Sequence, residues 1–209
     1  MTISPATLRA ADIEDRARSA ATTVLTGGGG LAEAARAAIA VADGLSDAFA
    51  QQPELASALA GGACTAGCGS CCHQVVGITA AEEALLTEAI EQLPADRRRG
   101  LRCRVEGAQA HLERLPVEQW QAARLPCPLL EDNLCILHPH RPLPCRAVLS
   151  ADADACRRWL EGGDVRIPLI ALPRRIYSLA QAGLAQALAG AGIPPGPVSL
   201  VEALAVILS

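Results

Sequence analysis

Apolar residues recur at helical spacing along most of this chain, and they predict a string of helices interrupted at its centre. Residues from about Thr7 to Leu25 read as a helix, ended by the glycine run Gly27 to Gly30, which reads as a flexible joint. A second helix is expected from Leu31 to Gln51, with Leu31, Ala35, Ala38, Ala42, Leu45 and Phe49 on one face. A short one, Pro53 to Leu59, leads to Gly61-Gly62. After an extended piece, Val75 to Ile78, Thr79 and Glu82 have the spacing of a capping box, in which hydroxyl and carboxylate serve free backbone N–H groups. The helix so opened carries Leu85, Leu86, Ala89, Ile90 and Leu93, and it stops at Pro94. Helix resumes from about Ala95 to Leu115, with Arg97, Arg98 and Arg99 as a solvated face.

From Pro116 to Ala151 the pattern is lost, and Pro126, Pro128, Pro139, Pro142 and Pro144 prevent long regular structure. Helix returns from Asp152 to Glu161 and from Pro173 to Ala191, the latter with a stripe of Leu172, Ile176, Leu179, Gly183, Leu184, Ala187 and Leu188. Ser199 and Glu202 then cap a last helix to Leu208. No repeat of fixed period is present. The fold class expected is mainly α: a small helical domain with irregular cysteine-rich loops at its centre. Residues 1–60 supply N-terminal helices, 61–160 the cysteine-bearing part, and 161–209 C-terminal helices that pack on the same core as one globular unit.

Composition adjusts this picture in three ways. Phe49, Trp120, Trp159 and Tyr177 are the only aromatics, so alanine and leucine do the packing, which suits closely packed helices. Every basic residue is arginine, which rules out lysine Schiff-base chemistry. The formal net charge of −4 argues against nucleic acid as a partner. The first residues carry acids and no apolar run, and no stretch reaches the ~18 apolar residues of a membrane span. A cytoplasmic protein without membrane contact is therefore expected. A reducing compartment disfavours disulfides, which turns attention to metals.

Eight of the nine cysteines fall in two batches. Cys64, Cys68, Cys71 and Cys72 form a CxxxCxxCC cluster, and Cys127, Cys135, Cys145 and Cys156 are spread through the proline-rich part. Thiolates are soft ligands, and short spacings let one stretch of backbone aim several at one point. Gly67 and Gly69 permit the tight turns such a loop needs. In the proline-rich part, coordination would replace the missing core. Neighbouring side chains diverge, so Cys71 and Cys72 are poorly placed to share one tetrahedral ion. Eight thiols also exceed the four that one zinc or one cubane cluster takes, so two sites and one site with spare thiols are both open. Cys103, alone in a helical stretch, reads as a small buried hydrophobe.

The second batch carries Cys127-Pro128-Leu129-Leu130, then Cys135-Ile136-Leu137-His138, then Arg141-Pro142-Leu143-Pro144-Cys145-Arg146. With the upstream CxxxCxxCC, this order resembles the bacterial YkgJ-type cysteine-cluster proteins, zinc- or iron-chelating domains, over about residues 60 to 160. Flagellin lysine N-methylases look like relatives with the same cluster, which implies, as an alternative, an iron–sulfur centre beside methyl transfer from S-adenosylmethionine. In the family a tyrosine or a histidine stands where His138 does, so the resemblance does not make His138 an obligatory ligand. His73 and His140 are adjacent donors of the same kind, while His111 has no partners at ligand spacing. Arg141 and Arg146 suit either a loop buttress or donors to sulfur. Capping accounts for Glu82, and Glu83 is a candidate site carboxylate. No Ser-His-Asp arrangement or HExxH motif is present.

The expectation is a protein that holds an iron–sulfur cluster or Zn2+ through Cys64, Cys68, Cys71, Cys72, Cys127, Cys135, Cys145 and Cys156. Eight sulfurs at irregular spacing favour iron–sulfur over a pair of zinc fingers. A redox, structural or metal-handling role, a protein-modifying enzyme and a zinc-stabilised module for a protein or peptide partner all remain open.

Overall fold

A computed structural model describes residues 10–209, so the expected start of the first helix at Thr7 lies outside the described residues. Helix α1 (Ala10–Thr26) and helix α2 (Leu31–Ala50) are joined by the glycine run, which turns the chain between them. Gly28 takes φ +83°, a left-handed conformation open to glycine at little cost. The Gly29 N–H donates to the Val24 carbonyl at 2.9 Å, and the Glu33 carboxylate accepts the Gly30 N–H at 3.0 Å to start α2. Along α2 the predicted face of Ala35, Ala38, Ala42, Leu45 and Phe49 is buried, with Leu31 only partly covered.

A short helix, α3 (Pro53–Ala60), leads into the cysteine loop, and strand β1 (Gly77–Ile78) follows. Helix α4 (Ala80–Glu91) opens on the expected capping box: the Glu82 carboxylate accepts the Thr79 N–H at 2.8 Å, and the Thr79 hydroxyl accepts the Glu82 N–H at 3.3 Å. Helix α5 (Ala95–Leu112) ends short of the expected Leu115. There the Trp120 indole N–H donates to the carbonyls of Leu112 and Leu115, at 3.1 and 3.2 Å, and satisfies acceptors a longer helix would use. Cys103 lies on the exposed side of α5, so the buried placement expected for it is wrong. Its lone position in a helix said nothing about which face it occupied.

The proline-rich centre contains a small hairpin the periodicity did not reveal: β2 (Leu130–Glu131) and β3 (Leu134–Cys135), paired Leu130 to Cys135. Asp132 and Asn133 between them take φ +50° and +60°, the pattern of a two-residue hairpin loop whose twist matches the strands. A single helical turn, α6 (Leu143–Arg146), and helix α7 (Ala153–Leu160) complete this part. Helix α8 (Ala171–Gly190), strand β4 (Val198–Ser199) and helix α9 (Leu200–Leu208) follow. β4 pairs antiparallel with β1, and the Leu200 N–H donates to Val76 at 2.9 Å, so the last helix is tied to the end of the first cysteine loop.

Two apolar cores share α4. On one side Ala81 and Leu85 pack with α1, α2 and α8, whose small residues let the helices approach. Gly183 sits at the α1–α8 crossing, where a Cβ would stand 2.2 Å from the Glu14 carbonyl oxygen. On the other side Leu86, Ala89 and Ile90 meet Leu101 and Val105 of α5 and Leu200, Leu204 and Leu208 of α9. Leu129 and Leu137 enter this second core from the cysteine-bearing loops. Burying a leucine contributes about 1.5–3 kcal/mol, so these two fasten otherwise irregular backbone to the helices. Among the described residues no helix is long and apolar enough to cross a membrane.

Candidate metal centre

Five cysteines from four short segments face one cavity of about 60 Å3: Cys71, Cys72, Cys127, Cys135 and Cys145. Cys71 and Cys72 stand on the tight turn Ser70–His73, and the Cys127 N–H donates to the Cys72 carbonyl at 2.7 Å, which locks the two batches together. Cys135 is delivered by β3 and Cys145 by α6. Leu86, Leu129, Leu137 and Leu200 close the cavity with apolar surface, and Arg141 supplies a guanidinium.

Two buried polar devices hold the α6 turn in place. The Glu82 carboxylate, wholly buried, reaches past its own cap to accept the Leu143 N–H at 2.8 Å and the Gln181 amide N–H at 3.0 Å. Arg146 acts as a staple: Nε donates to the Arg141 carbonyl and Nη2 to the Pro139 carbonyl, both at 2.8 Å, while Nη1 pairs with Asp43 at 3.0 Å. Tyr177 donates to the same Asp43 at 2.9 Å, and burial together with that carboxylate pushes the phenol up to about 12. Sequence reasoning identified the cap but not these long-range roles. Asp43 sits within the apolar face pattern of α2 with nothing to mark it.

Electrostatics in the cavity favour protonated thiols. Burial pushes Cys127 up to about 12, and burial, then Cys127 and Cys135, raises Cys145 well above the usual thiol range. Cys71 is raised first by its hydrogen bond to Cys72 and then by burial. Cys135 is raised by burial, with Arg141 acting in the opposite direction. Such thiols ionise when a cation replaces the proton, which is how soft metals load into cysteine sites.

Cys64, Cys68 and Cys156 do not line this cavity. Cys64 and Cys156 meet at Ser150, whose backbone N–H donates to the Cys64 sulfur at 3.4 Å and whose side chain bonds the Cys156 thiol, and Cys68 lies near enough to act on Cys156. The Ala63 N–H donates to the Ser150 carbonyl at 2.8 Å and pins the loop there. Asp152 caps α7 through the Ala155 N–H at 2.9 Å and so sets where Cys156 points. Burial raises the Cys156 thiol, with Cys64, Cys68 and Cys71 adding to the effect, and Cys71 also acts on Cys145. Cys71 therefore stands between an inner group of thiols and an outer one.

None of the histidines lines the inner cavity. His73 Nδ1 is 3.1 Å from the Gly69 carbonyl, and exposed His138 is held below the usual imidazole range chiefly by Arg141. Among the described residues no three His, Cys, Asp or Glu side chains stand close enough together to hold one ion. The inner thiols surround a space; they do not converge on a point.

Residues 63–160 match a family model described as "CxxCxxCC: Putative zinc- or iron-chelating domain". Where that name has two residues between its first cysteines, this chain has Thr65, Ala66 and Gly67, with Gly67 at φ +85°. Comparison with the curated proteins and with the solved structures returned no match.

Proposed function

We propose that the inner thiols hold an iron–sulfur cluster with a redox role, a reading supported by the match of residues 63–160 to the CxxCxxCC zinc- or iron-chelating domain family. The carrying observation is the cavity of about 60 Å3 between five cysteines, no three of which are spaced for one ion. Zinc binds thiolate at about 2.3 Å, which draws four sulfurs to within about 3.8 Å of one another. A polynuclear cluster spreads its thiolates, because iron and sulfide stand between them. The donor set fits: soft thiolates on rigid turns, apolar walls and a buried guanidinium N–H without a partner.

When bound, such a cluster supplies one-electron transfer. The chain's own residues do the rest. Leu86, Leu129, Leu137 and Leu200 exclude water, and Glu82 and Arg146 fix the turn that carries Cys145. Cys64, Cys68 and Cys156 complete the ligand set as a separate outer group, with Cys71 as an inner thiol that also acts on Cys156. All nine cysteines are free thiols, the state a reducing cytoplasm maintains.

The test is anaerobic purification followed by iron, zinc and acid-labile sulfide analysis with an absorption spectrum. A brown protein with iron and sulfide in equal amounts is expected, and Cys145→Ser should remove both. Cys103→Ser should leave metal content unchanged and move stability by less than about 0.5 kcal/mol, as exposed substitutions do. A colourless protein with stoichiometric zinc and no sulfide sinks the iron–sulfur reading.

A further inference from the structure

Arg141 is the guanidinium that lines the inner cavity, and its Nε is buried without a hydrogen-bond partner. Among the described residues its side chain makes no ion pair or hydrogen bond that would occupy it structurally. Its neighbours contrast with it. Arg146, five residues along, spends its donors on Arg141, Pro139 and Asp43. Arg104, the cation near Cys127, also has a buried nitrogen without a partner, Nη2, but it donates to the Pro128 carbonyl at 2.8 Å, faces Glu131 at 3.6 Å and does not line the cavity.

The backbone that carries Arg141 is held on both sides. Its carbonyl accepts from Arg146, its N–H donates to His138 at 3.4 Å, and Pro142 and the Glu82-bound Leu143 follow. A residue so tightly placed, with a buried donor left free, is built to meet something in the cavity. Leaving such a group unpaired costs about 1–3 kcal/mol, more for a charged one. Apart from Gln74 and Arg141 itself, the cavity's protein groups are thiols and apolar carbon, and the Arg141 Nε–H bonds to none of them, so the acceptor that suits it is one that arrives with the contents, and a guanidinium favours an anionic one.

We infer that Arg141 is the resident counter-cation of the inner centre, its Nε–H donating to a thiolate or sulfide sulfur and its charge favouring the reduced state. This rests on the iron–sulfur reading above. Reduction by a one-electron carrier adds one unit of negative charge to the cavity contents and makes or breaks no bond. A fixed positive charge in an apolar pocket therefore stabilises the reduced form more than the oxidised one and raises the midpoint potential.

The experiment is a mediated spectroelectrochemical titration of the full chain, reconstituted with iron and sulfide, for wild type, Arg141→Met and Arg141→Lys. Arg141→Met should shift the oxidised-to-reduced ratio about tenfold at a given potential, ~59 mV more negative for one electron. Arg141→Lys should recover most of that shift. An unchanged midpoint with unchanged iron and sulfide in Arg141→Met overturns the inference. Should Arg141→Met fail to hold the cluster, recovery in Arg141→Lys with native helical dichroism supports it. A loss that lysine does not repair shows a packing role and overturns it. A wild type that stays colourless after reconstitution overturns the parent reading instead, which keeps the two failures apart.

Discussion

Glu82 accepts hydrogen bonds from the Thr79 N–H, the Thr79 hydroxyl, the Gln181 amide and the Leu143 N–H, and no part of it reaches solvent. Its two oxygens thus join the start of α4, the middle of α8 and the turn bearing Cys145. The substitution Glu82→Gln keeps the shape but sets an amide N–H against groups that are themselves donors. At least one buried bond is lost with a donor left unmet, a cost of about 2–4 kcal/mol. Urea denaturation should show that loss, and the metal content of the inner centre should fall with it, because Leu143 and Cys145 share one helical turn. A variant with wild-type stability would show that the carboxylate is a cap and nothing more. The cap itself was legible in Thr79-x-x-Glu82, since its chemistry is local. The bonds to Gln181 and Leu143 were not, since they join residues about a hundred and about sixty positions away.

Helices emerged from the sequence wherever a 3.6-residue pattern ran for several turns, as in α2, α4 and α8, because one buried stripe is enough to specify such an element. The β2–β3 hairpin was missed for the opposite reason: its strands are two residues each, too short for any alternation to register. Its turn, Asp132-Asn133, was a signal overlooked among the prolines. The division of eight thiols into five and three was likewise illegible, because spacing along the chain does not say which face of a turn a sulfur takes. Element packing offers a sharp contrast between two glycines. Gly183→Ala would drive a methyl to 2.2 Å from the Glu14 carbonyl, so α1 and α8 must part, at a cost of about 1–3 kcal/mol. Gly107→Ala, on α5 with nothing within 4 Å of its Cβ position, should stabilise by about 0.5–1 kcal/mol through helix propensity alone. Thermal melts of the two variants that move in the same direction would contradict the close α1–α8 crossing.

At the scale of the whole molecule, the buried thiols couple folding, metal and pH. Without metal, burial pushes Cys127 up to about 12 from the ordinary thiol range, and Cys71, Cys135, Cys145 and Cys156 are all raised as well. The folded chain therefore keeps protons that the unfolded chain releases near pH 9, so the unfolded state binds fewer protons above that point. Stability then falls as pH rises, at on the order of 1 kcal/mol per pH unit for each thiol so raised. The contribution is complete below pH 9 and is lost as pH climbs through the folded values, about 12 for Cys127. A cation in the inner centre reverses the situation, because ligated thiolates have already given up their protons. The metal-free protein should accordingly lose thermal stability steeply between pH 9 and 11, while the loaded protein holds its melting temperature across the same window. The same protons oppose loading at low pH, so metal affinity should rise from pH 6 to pH 8, with protons released on uptake. Calorimetric melts of both forms across the pH series, with uptake measured in buffers of different ionisation enthalpy, check the two halves together. Parallel melting curves for the metal-free and loaded forms would mean that the inner thiols are not the ligands.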